Sequence, residues 1–371
     1  MKLTIERAAL LKSLNHVQSV VERRNTIPIL SNVLLDVDKD MRLVATDLDI
    51  EIIEAVAADV SANGKVTVPA HMFYDIIRKL PEGGQLEIEH GSDGNQLQIN
   101  AGRSKFALQS LPAEDFPDLT SGEMTHKFSL SAADLKRLIE KTRFAISTEE
   151  TRYYLNGIYL HEAETEGDVK LRAVATDGHR LAQFEMPLPD GAKGMPGVIV
   201  PRKAVGELHK LIEDETDNVE IYLSSSKIKF TIGSVILTSK LIDGTFPDYE
   251  RVIPSNNDKA LEVDARAFAQ AVDRVSTISS EKGRAVKLNV ESQNITLTVN
   301  NPDSGNARED IVGDYQADPI EIGFNARYLL DITNQLEGET ALFLLADASS
   351  PTIVRDKGDL SALYVLMPMR V

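Results

Sequence analysis

Short stretches of this chain return in the same order roughly one hundred and thirty residues later, a spacing that dictates whole duplicated domains. Leu43-Val44-Ala45-Thr46-Asp47, a strand ending in a polar turn, reappears as Ala173-Val174-Ala175-Thr176-Asp177, 130 residues on. Val66-Thr67-Val68-Pro69-Ala70 leads into the helical stripe Phe73, Ile76, Ile77, Leu80. Val198-Ile199-Val200-Pro201-Arg202 leads likewise into Val205, Leu208, Leu211 and Ile212, its proline 132 residues from the first. Phe116-Pro117-Asp118 returns as Phe246-Pro247-Asp248, again 130 apart. A fainter third copy puts Leu297-Thr298-Val299-Asn300-Asn301 at the polar turn. Its Ile322-Gly323-Phe324-Asn325 precedes the stripe Tyr328, Leu329, Ile332, Leu336.

Each copy opens on an amphipathic helix, carried by Leu10, Leu14, Val17 and Val21, by Leu135, Leu138, Ile139 and Thr142, and by Phe268, Ala271, Val272 and Val275. Alternating runs such as Gln96-Leu97-Gln98-Ile99-Asn100 and Lys227-Ile228-Lys229-Phe230-Thr231 read as half-buried strands. Each copy is thus an α+β domain of two helices and antiparallel sheets. Boundaries are expected at 1–125, 126–253 and 254–371. The stretch Pro187 to Gly197 reads as a surface loop. The period is too long for a solenoid, so three tandem domains form an arc, and arcs meeting head to tail give a ring or a filament.

The chain carries 57 acidic and 40 basic side chains, a net charge of −17, which taken alone argues against nucleic acid. The bases are not spread evenly. Six expected helices (5–21, 70–80, 132–145, 202–212, 264–278, 326–336) hold 14 bases against 8 acids. Helices lining one surface would make it basic within an acidic body, accepting phosphate inside and repelling it outside. No cysteine is present, which excludes disulfides, thiolate metal sites and cysteine nucleophiles. Apolar runs such as Ile27-Pro28-Ile29-Leu30 are too short to span a bilayer, and the N-terminus lacks a signal-like stretch, so a cytoplasmic location is expected.

Catalytic readings fare worse. Asp177-Gly178-His179-Arg180 looks like an acid orienting a base, but Asp47-Leu48-Asp49 in the first copy shows that the Thr-Asp pair belongs to the scaffold turn. Asp47, Asp49 and Glu51 alternate on one strand as metal ligands might, the motive for a rival two-metal phosphoesterase. A solvated strand face is the plainer reading. Nothing fits a phosphate-binding glycine loop, and His161-Glu162 lacks the second histidine of a zincin helix. No catalytic residue, metal or cofactor is therefore expected. A further alternative is a peptide-binding scaffold that never touches DNA.

Arg152-Tyr153-Tyr154-Leu155-Asn156-Gly157, Val174 to Leu181, Val200-Pro201-Arg202-Lys203, and Ser239 to Tyr249 resemble the bacterial DNA polymerase III beta subunit, the sliding-clamp family, and the likeness runs the whole length. It implies three tandem DNA-clamp domains and a head-to-tail dimeric ring around double-stranded DNA, with no chemistry of its own. It also implies a groove for short linear motifs of the replicative polymerase, the clamp loader, repair polymerases and mismatch-repair proteins. Carried over, one side of that groove is Leu155, Thr176, Gly178, His179, Arg180, Leu181, Pro247, Arg251 and Val252. The far side is Asn325, Tyr328, Ser350, Val365, Met367, Pro368, Met369 and Arg370, with methionines able to repack around different partners. DNA contacts are implied at Arg24, Tyr153 and Tyr154, with Arg137 and Lys203 beside them. The homodimer seam is implied at Arg103, Lys105, Phe106 and Leu108 opposite Ile278 and an acidic edge around Asp303.

Overall fold

One string of elements occurs three times in the computed structural model, which describes every residue except 92–94, 120–121, 214–216, 280–283 and 371. The first repeat runs β1 (Lys2–Glu6), α1 (Arg7–Gln18), β2 (Asn32–Val37), β3 (Met41–Thr46), β4 (Ile50–Val56), β5 (Asp59–Ala62), β6 (Gly64–Pro69), α2 (Ala70–Lys79), β7 (Gln85–His90), β8 (Gln96–Ala101) and β9 (Ser104–Gln109). The second runs β10 (His126–Ser131), α3 (Ala132–Arg143), β11 (Gly157–Thr165), β12 (Asp168–Thr176), β13 (Arg180–Pro187), β14 (Val198–Pro201), α4 (Arg202–Leu211), β15 (Asn218–Leu223), β16 (Lys227–Ile232) and β17 (Val235–Lys240). The third runs β18 (Lys259–Asp264), α5 (Ala265–Ser276), β19 (Ala285–Glu291), β20 (Asn294–Asn301), β21 (Gly305–Ile311), β22 (Gly313–Tyr315), β23 (Ile320–Asn325), α6 (Ala326–Thr333), β24 (Thr340–Leu345), β25 (Thr352–Asp356) and β26 (Ala362–Leu366). Apart from the short strands β5 and β22 the three strings are identical.

By contacts the chain divides into two units, Met1–Lys136 with Pro189–Pro196 and Lys203–Leu241, and Arg137–Leu188 with Gly197–Arg202 and Ile242–Val371. The first unit holds a five-stranded sheet, β5-β1-β7-β8-β9, and an eight-stranded sheet, β10-β15-β16-β17-β4-β3-β2-β6. The second holds a nine-stranded sheet, β14-β11-β12-β13-β26-β25-β24-β18-β22, and a four-stranded sheet, β21-β20-β19-β23. The two long sheets are fusions between repeats. In the first, β17 pairs antiparallel with β4, Thr238 opposite Glu51. In the second, β26 pairs with β13, Val365 opposite Leu181. Both obey one rule: the strand before the last of a repeat's first sheet meets the final strand of the following repeat. Under that rule β9 and β21 are left as sheet edges.

Side-chain periodicity explains these elements. Along β16, Ile228, Phe230 and Ile232 are buried while the residues between them are not. Helix α5 buries Phe268, Ala271, Val272 and Val275, and Asp264 caps it by accepting from the Ala267 N–H at 2.7 Å. Leu10, Leu14 and Val17 of α1 are fully buried, each worth about 1.5–3 kcal/mol relative to exposure. The faint third copy carries the same turn as the others. Asp47 Oδ1 accepts from the Asp49 N–H at 2.9 Å, Asp177 Oδ1 from the His179 N–H at 2.9 Å, and Asn301 Oδ1 from the Asp303 N–H at 3.0 Å.

Two expectations need correction. The first helix begins at Arg7 rather than residue 5, because Leu3 and Ile5 alternate inward on β1, which pairs with β7. The last helix ends at Thr333, so Leu336 lies beyond it. The Pro187 to Gly197 stretch is the expected loop, anchored at a few points. Ala192 and Met195 are buried, and a side chain at Gly191 (φ +90°) would put its Cβ 2.1 Å from the Lys127 carbonyl oxygen.

Candidate peptide groove and surrounding surfaces

In the second unit a pocket of about 310 Å³ is lined by Arg152, Tyr154, Leu155, Thr176, Gly178, Arg180, Leu181, Pro247, Asp248, Tyr249, Val252, Val365 and Met367. Its floor belongs to a hydrophobic cluster that includes Leu155, Val174, Leu181, Phe246, Tyr249 and Val365. Its rim is apolar yet open to solvent: Val252 is 50% and Met367 40% exposed. A preformed cavity with an uncovered apolar rim suits a Leu- or Phe-sized anchor.

Backbone and ion pairs fix the walls. The Met367 N–H donates to the His179 carbonyl at 2.9 Å, and the Met369 N–H to the Gly323 carbonyl at 2.8 Å, so the C-terminal segment is stitched across β13 and β23. Asn325 Oδ1 caps α6 by accepting from the N–H groups of Arg327 and Tyr328. The His179 and Tyr328 rings stack at 6.3 Å. Gly178 sits at φ +87°, but Leu48 adopts φ +80° at the matching turn, so the turn alone does not require glycine. Gly178 also leaves room for Arg152: a Cβ at 178 would lie 2.6 Å from its Nη1, and the guanidinium would have to shift. Arg152 donates to the Asp177 carbonyl at 3.0 Å and to Glu149 at 2.8 Å.

Of the carried-over groove residues, Leu155, Thr176, Gly178, Arg180, Leu181, Pro247, Val252, Val365 and Met367 line this pocket. His179, Arg251, Asn325, Tyr328, Ser350, Pro368, Met369 and Arg370 are not among its lining. Arg180 is held on several sides where it lines the pocket. It is 8% exposed, donates to Asp177, Asp331 and the Phe144 carbonyl, and lies 4.3 Å from the Tyr328 ring centre. Ser350 is drawn instead into a turn on Asp347 at 2.7 Å. Sequence reasoning missed Arg152, Asp248 and Tyr249 and gave Tyr154 only to DNA. The Pro-Asp-Tyr run before Val252 was the available signal, since it forms the short helix Tyr249–Val252 of the wall.

The catalytic alternatives dissolve into structural contacts. Asp177 Oδ1 accepts from two backbone N–H groups and Oδ2 from Arg180, leaving it no role toward the His179 ring. Asp47 closes its turn and binds Lys203 at 2.7 Å, Asp49 pairs with Lys240 at 3.2 Å, and Glu51 points into the core at 2% exposure. These three carboxylates do not converge on an ion, and no group able to hold a metal occurs among the described residues.

Among the implied DNA contacts, Arg24 is exposed and Tyr153 is 53% exposed, with Tyr154 edge-on to it at 5.8 Å. Lys203 and Arg137 are engaged elsewhere. Lys203 binds Glu22 at 2.5 Å and Asp47 at 2.7 Å. Burial lowers its pKa, but these two hydrogen bonds more than reverse that and leave it raised. Arg137 binds Asp359 and Glu337. On the implied seam, Arg103 and Lys105 are exposed and Phe106 is half-buried on the edge strand β9. Leu108 is 4% exposed and belongs to its own sheet's core. Ile278 lies just past α5, its carbonyl accepting from Asn301 at 2.8 Å, and Asp303 is exposed.

A scaffold of three fused α+β clamp domains bearing a preformed apolar groove is the class that this fold and site define. The chain belongs to the DNA polymerase III beta subunit family. It matches that family's N-terminal domain over residues 1–120, its central domain over 129–248 and its C-terminal domain over 250–370. It is 56% identical to the beta sliding clamp of Caulobacter vibrioides and 42% identical to that of Escherichia coli K12, in both cases over 100% of each chain. Its fold superimposes on the Bartonella birtlesii sliding clamp bound to griselimycin with a TM-score of 0.97, at 53% identity and 100% coverage of both chains. It superimposes on the Caulobacter crescentus clamp, solved with polyethylene glycol at a putative beta-motif tethering region, at 0.98 and 56% identity, covering 100% of this chain and 99% of that one.

Proposed function

We propose that two copies of this chain close head to tail around duplex DNA and act as a sliding processivity clamp in the cytoplasm, with no catalysis of their own. The observation that carries this reading is the seam rule. Two of three possible strand fusions are made within the chain, and the third, β21 to β9, requires a second copy. Phe106, Arg103 and Lys105 would meet Ile278 and Asp303 there, a self-completing heterologous contact. In this reading the domain limits lie at 1–125, 126–253 and 254–371.

Double-stranded DNA would be held by topology and by diffuse charge rather than sequence readout. Arg24, Tyr153 and Tyr154 are the proposed contacts. Lys12, Lys79, Arg143, Arg202 and Arg266 are exposed and in no ion pair among the described residues, which makes them better phosphate partners than Lys203 or Arg137. The groove would take short apolar-anchored motifs from the replicative polymerase, the clamp loader, repair polymerases and mismatch-repair proteins.

Mass measurement in solution with particle imaging, followed by retention on circular and linear DNA, tests the proposal. A two-copy annulus retained on circles and lost from linear ends is expected. Compact monomers, or equal retention on both DNA forms, would leave only the groove-bearing scaffold.

A further inference from the structure

Behind the groove wall lies a buried polar network that no contact with an incoming motif would reach directly. Tyr249 lines the pocket, yet its hydroxyl points away into the protein, where Arg172 Nη1 donates to it at 2.8 Å and His161 Nε2 lies 3.0 Å away. A phenol has one proton to give. With the ring proton on Nδ1, the Tyr249 O–H can donate to His161 Nε2 while its oxygen accepts from Arg172. His161 Nδ1 then carries the ring's proton and donates to the Glu162 carbonyl at 2.8 Å. A neutral imidazole thus gives every group here a partner, the Tyr249 proton included, whereas a protonated ring would take away that proton's acceptor.

The same residues clamp the wall sideways. Arg172, 6% exposed, also binds Glu250 at 2.9 Å, Glu185 at 3.1 Å and Thr165 at 2.7 Å. The Tyr159 ring is stacked between His161 at 4.4 Å and Phe246 at 4.8 Å. Both ends of the segment from Phe246 to Glu250 are thus gripped from β11 and β12. Pro247 and Asp248, between those ends, line the pocket.

We propose that Arg172 and neutral His161 are positioning residues for the groove: by gripping the Tyr249 hydroxyl they hold the Pro247–Val252 wall at the spacing an apolar anchor needs. This rests on the peptide-groove reading above. A protonated His161 would present a second cationic donor to a phenol oxygen that already accepts from Arg172. The charged and titratable groups facing it are Arg172 from β12, Glu250 and Tyr249 from the wall, and Tyr159 beside it, with Glu185 beyond Arg172. Burial, and secondarily the Arg172 charge, keep the His161 pKa below its ordinary value. An anchor seated in the pocket excludes water from the wall and makes that second charge less tolerable. Binding and proton uptake therefore oppose each other, and affinity falls as pH drops below the usual histidine range.

The test uses the full-length chain and a short, amidated, fluorescent peptide with a Leu-Phe anchor and no acidic residue or histidine. Anisotropy titrations are run across mildly acidic to mildly alkaline pH on wild type, Tyr249→Phe and His161→Gln. Tyr249→Phe, which keeps the ring, should weaken binding by about tenfold at neutral pH, the scale of hydrogen bonds to a charged group. Wild type should lose affinity by roughly fivefold on acidification. His161→Gln accepts from the phenol but cannot titrate, so it should bind like wild type at neutral pH and lose much less in acid. Any residual slope shared by both proteins reports groups other than His161. Identical pH profiles for wild type and His161→Gln, or unaltered affinity in Tyr249→Phe, overturn the proposal. A wild-type chain that does not bind the peptide at all instead overturns the groove reading beneath it.

Discussion

Glu51→Gln should stabilise this protein, and by an amount that depends on pH in a direction opposite to that of an ordinary salt-bridged carboxylate. Glu51 lies on β4 at the junction with β17 and is 2% exposed. Among the described residues its Oε2 accepts a long hydrogen bond from the Leu119 N–H, 3.4 Å, and Oε1 has no partner. Burial pushes its pKa from 4.5 up to about 7; Asp118 adds to the rise, while the Leu119 N–H and Lys227 oppose it. Because the folded value lies above the unfolded one, the folded chain holds a proton the unfolded chain releases. The stabilising contribution is complete below 4.5 and is lost as pH rises through about 7. At about 1.4 kcal/mol per tenfold, the interval from 4.5 to about 7 corresponds to roughly 3 kcal/mol. Glutamine keeps the shape and never ionises. Parallel urea denaturation of both proteins should therefore give a gap that is smallest below about pH 4.5 and wider by roughly 3 kcal/mol at about pH 8.5. A constant gap would mean that Glu51 ionises like an exposed carboxylate, and a gap that narrows as pH rises would mean that its anion is stabilised; either refutes the reasoning.

Removing the last five residues, Met367 to Val371, takes away the pocket rim and the Met369–Gly323 bridge. Peptide affinity should fall more than about tenfold by anisotropy, with the circular dichroism spectrum intact. Arg24→Ala should shorten residence on DNA circles while the oligomer mass stays that of wild type; normal retention counts against this contact. Phe106→Asp puts a charge on the unpaired edge of β9 and should yield folded monomers by light scattering at concentrations where wild type is assembled. Lys203→Ala should alter DNA retention less than Arg24→Ala, since Lys203 is already bound to Glu22 and Asp47.

The repeat was legible because its landmarks are local: a Thr-Asp turn, a strand into a proline, a Phe-Pro-Asp tail. Such features need only nearby backbone. The third copy looked faint because Asn301 replaces aspartate, although an asparagine oxygen closes the same turn. Errors concentrate where distant residues decide the outcome. Arg137 and Lys203 read as available helix bases, but their carboxylate partners lie 222 and 181 residues away in the chain. The first helix absorbed Ile5 because an apolar residue followed by a helical stripe fits either period, and only pairing with β7 assigns it to a strand. Tyr249 and Arg152 escaped notice for the same reason. Their place in the pocket comes from a folded-back wall and from a gap at Gly178, neither of which leaves a periodic mark.

The two junctions within the chain also show what separates a groove from its imitation. Their backbones agree in detail: Lys240 donates to the Asp49 carbonyl at 2.8 Å, just as Met367 donates to that of His179 at 2.9 Å. Thr238 stands opposite Glu51 where Val365 stands opposite Leu181. The side chains then diverge. Where the second junction has Gly178, Leu181, Val365, Met367 and Tyr249, the first has Leu48, Glu51, Thr238, Lys240 and Leu119. An aliphatic floor with a methionine rim rewards an apolar anchor. A buried carboxyl beside Thr238, whose hydroxyl also lacks a partner among the described residues, penalises one through the cost of covering unpaired polar groups. The Lys240–Asp49 pair occupies the position of the rim. Duplication therefore supplied two equivalent frames, and a handful of substitutions, rather than any difference in fold, gives the second its apolar lining.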